Sequence, residues 1–167
     1  DEHIFQFNYG DGTISEDPNH IYRDDGNYNV EIILSDDDGG TDTLNQMISI
    51  INLPPKILGK LTDVANEGEN VDFQISIEDP GNDDTHTYHW DFDDGEIDSV
   101  INTQHVFADN GKYNIMIKVI DDDGGIDSLS HEIIINNLPP IISASFTSSS
   151  KVQIPEGQDG DDKMSEI

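Results

Sequence analysis

The residues of this sequence that could carry out chemistry are carboxylates concentrated in short turns. One turn contains Glu78, Asp79, Asp83 and Asp84, and a second contains 121–123. Ca²⁺ takes about six to eight oxygen ligands from carboxylates, carbonyls and water, so both turns are candidate calcium sites. Neither turn has the residue spacing of an EF-hand loop. The metal prediction therefore depends on charge density and on where the fold brings these turns together.

Residues suited to catalysis are poorly represented. The chain has no cysteine, and the serine run 148–150 lies in a linker-like stretch with no histidine close in sequence. We find no phosphate-binding glycine loop and no His-Glu-x-x-His motif. Carboxylate pairs are common, but they lie in turns, whereas general acid–base catalysis requires a cleft. His86 or His89 could ligate a metal, although a structural role is the commoner one. We expect no enzymatic activity from this chain.

The charge balance bears on possible partners. There are 36 acidic residues against 7 Lys and Arg, which gives a formal net charge of −29. Such a surface repels nucleic-acid phosphates and anionic lipids and attracts cations. No apolar run reaches the roughly 18 residues that a membrane helix needs. We expect no nucleic-acid partner and no direct membrane insertion by this segment. Solubility or adaptation to salt is the alternative explanation of the charge.

The hydrophobic pattern predicts β-strands. Apolar residues alternate with polar ones at 71–77, 88–92 and 113–119, and no helical period competes with them. Turn residues such as Asp94-Gly95 and Asn110-Gly111 separate the runs. About seven short strands at this spacing favour an immunoglobulin-like antiparallel β-sandwich.

The same pattern occurs twice along the chain. From His20, which corresponds to His105, the offset between the copies is constant at 85 residues. The paired segments are 7–12 with 90–95, 20–22 with 105–107, 25–30 with 110–115, 36–40 with 121–125, and 52–55 with 137–140. A period of this length is typical of tandem domains with separate cores rather than of a solenoid.

The repeated motifs resemble a known family. Segment 90–95 reads Trp-Asp-Phe-Asp-Asp-Gly, and it is followed by His-Val-Phe at 105–107, Gly-Lys-Tyr at 111–113 and Val-Ile-Asp-Asp-Asp-Gly at 119–124. This order resembles the signature of PKD (polycystic kidney disease) domains. Asp93 replaces a glycine of the family pattern, and Phe-Asn-Tyr at 7–9 replaces the usual Trp-Asp-Phe. The resemblance implies tandem PKD-type β-sandwiches in an extracellular protein, and some PKD domains bind calcium.

The repeat also predicts the domain organisation. We expect a partial module at 1–53 that lacks its first strands, a complete module at 56–138, and the start of a third at 141–167. The Leu-Pro-Pro sequences between them would act as stiff linkers, because proline favours extended backbone. The partial modules would be completed either by a longer chain or by strand donation between subunits.

Strand topology predicts which acids meet. The turn after the second strand and the turn before the last strand should lie at the pole where the linker enters the second module. The predicted calcium ligands at this junction are Asp79, Asp83, Asp84, Asp121, Asp122 and Asp123, with Asn52 of the linker. Asp36 and Asp38 form the corresponding turn of the first module, and Glu67 should lie at the opposite pole, facing the next module. The alternative is a solvated acidic cap that salt screens.

These observations predict a structural function. We expect extracellular spacer modules of a surface-layer array or filament, in a microbial (archaeal) surface protein, with calcium at the junctions. The expected partners are other modules of the same chain and further copies of it. The alternative is an accessory carbohydrate- or protein-binding module of a secreted hydrolase or adhesin, which would expose an aromatic strip.

Overall fold

The computed structural model describes residues 2–142, and its regular elements are all β-strands. Nearly all of the predicted third module at 141–167 lies outside the described residues. The strands of the first unit are β1 (His3–Asn8), β2 (Ile14–Ser15), β3 (Gly26–Asp36) and β4 (Thr41–Ile50). Those of the second unit are β5 (Lys56–Leu58), β6 (Val64–Asn66), β7 (Asn70–Phe73), β8 (Ser76–Glu78), β9 (His86–Asp91), β10 (Ile97–Asp98), β11 (Thr103–Val106), β12 (Gly111–Asp121) and β13 (Ile126–Asn136). We call the two units module one and module two.

Module one is an antiparallel sheet with the strand order β2-β1-β3-β4. Its long β3–β4 hairpin pairs from Gly26 with Ile50 to Ser35 with Thr41. Within residues 2–142 no second sheet packs on its inner face. Leu44 is therefore 61% exposed, whereas Leu129 at the corresponding position of module two packs against a core.

Module two is a β-sandwich. One layer has the strand order β10-β9-β12-β13-β6, and the facing layer consists of the β5–β8 and β7–β11 ladders. Strands β7 and β8 are separated at 74–75, where the Ile75 backbone N–H leaves the ladder and donates to Oδ1 of Asn102 at 2.8 Å. The sandwich is antiparallel except at one edge, where β6 pairs parallel with β13. This exception arises because the chain crosses from β5 in one layer to β6 in the other.

The core lies between the two layers of module two. Trp90, Phe73 and Ile117 are fully buried there. The indole N–H of Trp90 donates to the Val100 carbonyl at 2.9 Å, so its polar atom is satisfied. The alternating residues of β7, β9, β12 and β13 supply this core, as their period of two requires.

A histidine–carboxylate pair occurs at the same place in each module. Nε2 of His105 lies 2.7 Å from Oδ2 of Asp94, and Nε2 of His20 lies 2.6 Å from Oδ2 of Asp11. The His105 ring stacks on Phe92 with ring centroids 4.1 Å apart. Packing and hydrogen bonding therefore account for the positions of both histidines.

Asp93 has a positive φ of 64°, a conformation that otherwise occurs only at glycines in the described chain. Aspartate tolerates this left-handed region better than most residues do. Its Oδ2 also accepts a hydrogen bond from the Asn114 backbone N–H at 2.9 Å. The replacement of the family's glycine is thus compatible with the turn.

Candidate metal centre at the module junction

One pole of module two faces module one. Strand β8 ends there at Glu78, and β9 begins there at His86, which pairs with Asp121 at the end of β12. The linker enters at the same pole, because Lys56 of β5 pairs with Glu78. The antiparallel ladders therefore bring the 79–84 turn, the 121–125 turn and the linker together.

Asp121 ties the linker to the β12–β13 turn. Its Oδ2 accepts from Nδ2 of Asn52 at 2.9 Å, and its Oδ1 accepts from the backbone N–H of Asp123 at 3.1 Å and of Gly125 at 2.6 Å. Burial alone would raise the pKa of Asp121, but these donors hold it below its usual value. Asp121 is thus a buried carboxylate that stays ionised.

Gly125 makes this close approach possible. A Cβ at this position would lie 2.3 Å from Oδ2 of Asp121 and 2.8 Å from the Cα of Pro54. Only glycine leaves room for the carboxylate and the linker backbone to meet here.

Asp79 is held in a similar way by the turn that follows β8. Its Oδ1 accepts from the Gly81 backbone N–H at 3.0 Å, and its Oδ2 lies 2.8 Å from Nε2 of His86. The Asp79 side chain is only 6% exposed. The His86 ring nitrogen nearest the cluster is therefore already engaged with a carboxylate.

Asp84 differs from Asp79 and Asp121 in its hydrogen bonding. Its Oδ1 is buried and has no hydrogen-bond partner. Burial raises the pKa of Asp84, and the nearby charges of Asp79 and Asp24 raise it further. A buried carboxylate oxygen without a donor is costly, because burial disfavours its charged form.

Asp84 belongs to two groups of carboxylates. Asp79, Asp84 and Asp121 each offer an oxygen within 4.8 Å of the others, and so do Asp24, Asp84 and Asp123. We call these the inner cluster and the bridging cluster. The inner cluster lies wholly in module two, whereas the bridging cluster includes Asp24 of module one.

The charges of the bridging cluster are poorly compensated. Burial and the adjacent Asp25, which hydrogen-bonds to Asp123 through its carboxyl group, raise the pKa of Asp123 to about 6. Two carboxyl groups can share such a hydrogen bond only if one of them is protonated. Asp123 therefore takes up a proton at a higher pH than an ordinary aspartate does.

Module one presents its acids from a braced loop. The Tyr28 hydroxyl lies 3.1 Å from the carbonyl oxygens of both Asp24 and Asp25, and donates toward them. Beside them, the Arg23 carbonyl accepts from the Asp83 backbone N–H at 3.1 Å, and Nε of Arg23 lies 3.1 Å from Oδ1 of Asp83. These contacts hold the loop of module one against the 79–84 turn.

A cavity of about 120 Å³ lies between the modules, next to the clusters. Its walls come from both modules and the linker, and include Tyr22, Asp24, Leu53, Pro80 and Asp84.

The remaining predicted ligands lie elsewhere or have other partners. Asp83 pairs with Arg23, and Oδ1 of Asp122 accepts from the Thr85 backbone N–H at 2.9 Å. Asp36 accepts from the backbone N–H of Asp38 within the β3–β4 turn of module one. Glu67, at the opposite pole of module two, accepts from the Leu138 backbone N–H at 2.8 Å.

Sequence analysis missed Asp24 and Asp25. The signal was available, because both residues precede Gly26, where β3 begins opposite the end of β4 at Ile50. The exit of module one and the entry of module two must meet at the linker, so these acids had to lie near the junction.

The geometry of both clusters suits a calcium ion. The carboxylate oxygens of each cluster lie within 4.8 Å of one another, which is close enough for one ion to contact all three at about 2.4 Å. The ligand set offers carboxylate oxygens, which hard cations prefer over softer metals. Each cluster supplies three carboxylates, so backbone carbonyls or water would complete the coordination.

Among curated proteins, the chain is similar to a segment of a collagenase. The chain is 26% identical over 115 residues to collagenase ColA of Clostridium perfringens, a match that covers 69% of this chain and 10% of that protein. The chain therefore spans about a tenth of the length of this relative.

The chain is also similar to solved structures. The PKD1 domain of Vibrio anguillarum Epp matches at 21% identity with a TM-score of 0.44, over 53% of this chain and 100% of that chain. Fibronectin(III)-like modules of Clostridium thermocellum CbhA match at 17% identity with a TM-score of 0.44, over 85% of this chain and 83% of that chain. The all-β, immunoglobulin-like architecture agrees with the predicted fold class.

The family match covers most of the chain. The PKD domain model matches residues 1–50 and again 52–135. PKD domains are non-catalytic accessory modules that occur in extracellular or secreted proteins. In the described part of the chain, no helix is long and apolar enough to cross a membrane. The motifs, the sandwich and this match together show that the chain belongs to the PKD domain family.

Proposed function

We propose that this chain is an extracellular spacer whose module junction is stiffened by a calcium ion bound at the inner cluster. The ion would be held by Asp79, Asp84 and Asp121, with Asn52 orienting Asp121 from the linker. The chain would act through its mechanical properties and not through catalysis.

The observation that carries the proposal is the unpartnered Oδ1 of Asp84. Its neighbours Asp79 and Asp121 are fixed by backbone N–H donors, so their positions are set before any ion arrives. A preorganised set of three acids with one unsatisfied buried oxygen is arranged for a cation rather than for water.

Calcium would stiffen the junction through Asn52. Asp121 holds the linker side chain at 2.9 Å, and Pro54 and Pro55 restrict the backbone that follows. An ion that fixes Asp121 would therefore also fix the path of the linker. In a longer array, repeated junctions of this kind would set the spacing of modules, as expected of a surface layer or filament.

A thermal melt with calcium and then with excess chelator tests this function. The chain has a single tryptophan, Trp90, in the core of module two, so its fluorescence reports that module alone. At free calcium 100-fold above the Kd, we expect a gain of about 2.7 kcal/mol. Asp79→Asn should abolish the gain, whereas Asp72→Asn, which removes the same charge from the exposed face of β7, should retain it. If the wild-type chain melts at the same temperature in calcium and in chelator, the proposed site binds no calcium and this pole is a solvated acidic cap.

A second candidate function is that of an accessory module in a secreted hydrolase. The observation that favours it is the match to a segment of a collagenase. In this case the chain would bind the polymer on which its parent enzyme acts. Retention of the full chain on immobilised collagen and on insoluble polysaccharides would support this function, and absence of retention on all of them would favour the spacer.

A further inference from the structure

We propose that the chain cleaves its own backbone at the Asp17–Pro18 bond, with the Asp17 carboxylate as nucleophile and the Tyr9 hydroxyl as the donor that stabilises the reacting carbonyl oxygen. The reaction is a single intramolecular hydrolysis and not the turnover of a separate substrate. It takes place in the loop between β2 and β3 of module one, outside both carboxylate clusters, and it does not depend on calcium.

The bond type is the chemical basis of this activity. The sequence has two Asp–Pro bonds, at 17–18 and at 79–80. Proline forms a tertiary amide, and its nitrogen accepts a proton more readily than that of an ordinary peptide bond, which makes it a better leaving group. The aspartate carboxylate lies on the same residue as the carbonyl that it attacks, so the nucleophile is already in place.

Tyr9 supplies a hydroxyl at a position where module two has none. It corresponds to Phe92, and like Phe92 it is buried. The Tyr9 hydroxyl donates to the main-chain carbonyl oxygen of Asp17. A donor at this oxygen stabilises the negative charge that develops there when the carbonyl carbon is attacked. Tyr9 therefore gives module one a reactive contact that Phe92 cannot give module two.

The Asp17 carboxylate is held beside the bond that it would attack. Its Oδ1 accepts from the Asn19 backbone N–H at 2.9 Å and from Nδ2 of Asn19 at 2.8 Å, and both hydrogen bonds reach across Pro18. These donors lower the pKa of Asp17, so the nucleophile stays ionised at a lower pH than an ordinary aspartate does. Asp17 and Pro18 are exposed, so water and acid reach the bond.

The titratable groups around Asp17 do not compete with this role. Burial and the charge of Asp17 raise the pKa of Tyr9, which faces it from β1, so the phenol keeps the proton that it donates. Glu16 precedes Asp17 in the chain, and the His20 ring that stacks on Tyr9 is paired with Asp11. Within residues 2–142, no lysine or arginine forms an ion pair with Asp17.

The step balances as the hydrolysis of one peptide bond by one water molecule. A carboxylate oxygen of Asp17 attacks the carbonyl carbon of the same residue and forms a cyclic anhydride. The C–N bond to Pro18 breaks, and the proline nitrogen takes a proton from solvent and leaves as a secondary amine. Water then adds to the anhydride, which leaves Asp17 with a terminal and a side-chain carboxyl group.

The second Asp–Pro bond is an internal comparison. Both carboxylate oxygens of Asp79 are engaged, Oδ1 with the Gly81 backbone N–H at 3.0 Å and Oδ2 with Nε2 of His86 at 2.8 Å. Its side chain is 6% exposed, and in residues 2–142 no side-chain donor contacts its main-chain carbonyl. The fold thus activates the bond at 17–18 and protects the bond at 79–80.

Cleavage would leave module one in two pieces held together by a ladder. Strand β1 lies before the cut, and it pairs with β3 over six residues, from His3 with Asp36 to Asn8 with Glu31. The cut chain would therefore remain associated in native buffer and separate in denaturant. In a chain under tension, this ladder is where the two pieces would part.

Mass spectrometry of denatured samples tests the activity with the full wild-type chain. The chain is incubated at about pH 4, near the ordinary pKa of aspartate, in native buffer and in urea. In native buffer we expect cleavage at 17–18 to be at least about tenfold faster than at 79–80, because only the former carbonyl has a donor. In urea the two rates should become equal.

Three variants separate a chemical role of Tyr9 from a structural one. Tyr9→Phe should slow cleavage at 17–18 by about tenfold, less than the roughly 10²–10³-fold cost of removing such a donor from an enzyme active site, because this bond is exposed. Tyr28→Phe is the matched control, since its hydroxyl also contacts main-chain carbonyls, those of Asp24 and Asp25, and it should cleave like the wild type. Asp17→Asn should abolish the acid-dependent cleavage.

Hydrogen exchange of the β3 amides shows whether each variant keeps module one folded. Slower cleavage of a folded Tyr9→Phe chain, with Tyr28→Phe unchanged, would support the assignment. Equal native rates at 17–18 and 79–80 would overturn it without any variant. An unchanged rate in Tyr9→Phe would also overturn it, because the Tyr9 hydroxyl would then serve packing alone.

Discussion

Replacement of Asp84 by asparagine should stabilise the calcium-free chain and destabilise the calcium-bound chain relative to wild type. In the absence of metal, the Asp84 carboxylate is partly buried, its Oδ1 has no donor, and other carboxylates lie within 4.8 Å. Asparagine removes the charge and adds an N–H₂ donor that can pair with Asp79 or Asp121.

The magnitude follows from these distances. Two unit charges about 4.8 Å apart repel by about 3 kcal/mol at an effective dielectric constant near 20. Solvent screening and the donors to Asp121 reduce the net gain to about 1–2 kcal/mol. For a module of this size, that gain raises the midpoint in chelator by roughly 5–10 °C.

The Trp90 melt is the assay, run in chelator and in saturating calcium. The variant should unfold at a higher temperature than the wild type in chelator and at a lower temperature in calcium. Asp83→Asn is the matched control, because Asp83 is 56% exposed and paired with Arg23. Its loss should change the free energy of unfolding by about 0.5 kcal/mol or less in either condition. A variant that melts below the wild type in chelator would show that Asp84 is favourably paired without metal, and would refute the reasoning.

Three further predictions concern packing, pH and the junction turn. Ile117→Ala leaves a cavity at a fully buried core position and should lower the free energy of unfolding by urea by about 2–5 kcal/mol, whereas Met116→Ala on the outer face should lower it far less. Thr103 donates its hydroxyl to Asp98 and lowers the pKa of that carboxyl, so Asp98 stabilises the fold above its unfolded pKa and loses this effect as pH falls through its folded pKa. Thr103→Val should therefore lower stability near neutral pH and flatten its loss on acidification, and an unchanged acid-unfolding curve would contradict the link. Gly125→Ala forces a Cβ against the Asp121 carboxylate and the linker, and should lower the Trp90 melting midpoint by the equivalent of about 1–3 kcal/mol, so an unchanged midpoint would show that the turn can yield.

The sequence by itself determined the fold class and much of the core. Residues on β7, β9 and β12 alternate with a period of two, and this local pattern assigns Phe73, Trp90 and Ile117 to the buried side before any contact is known. The motif order around His105 led to the family in the same way. The predicted domain boundaries, the remaining ligands and the array or filament partners stay predictions.

Tertiary structure alone decided how the acids are grouped. Asp24 and Asp84 are 60 positions apart, and their proximity depends on the angle at which the linker docks module one onto the 79–84 turn. No periodicity encodes such an angle, because it results from contacts such as Arg23 with Asp83 that form only between folded modules. The local sequence pattern likewise did not predict the parallel pairing of β6 with β13 or the interruption between β7 and β8. Short-range alternation fixes which face a residue occupies, whereas the unsatisfied oxygen of Asp84 depends on every group that packs around it.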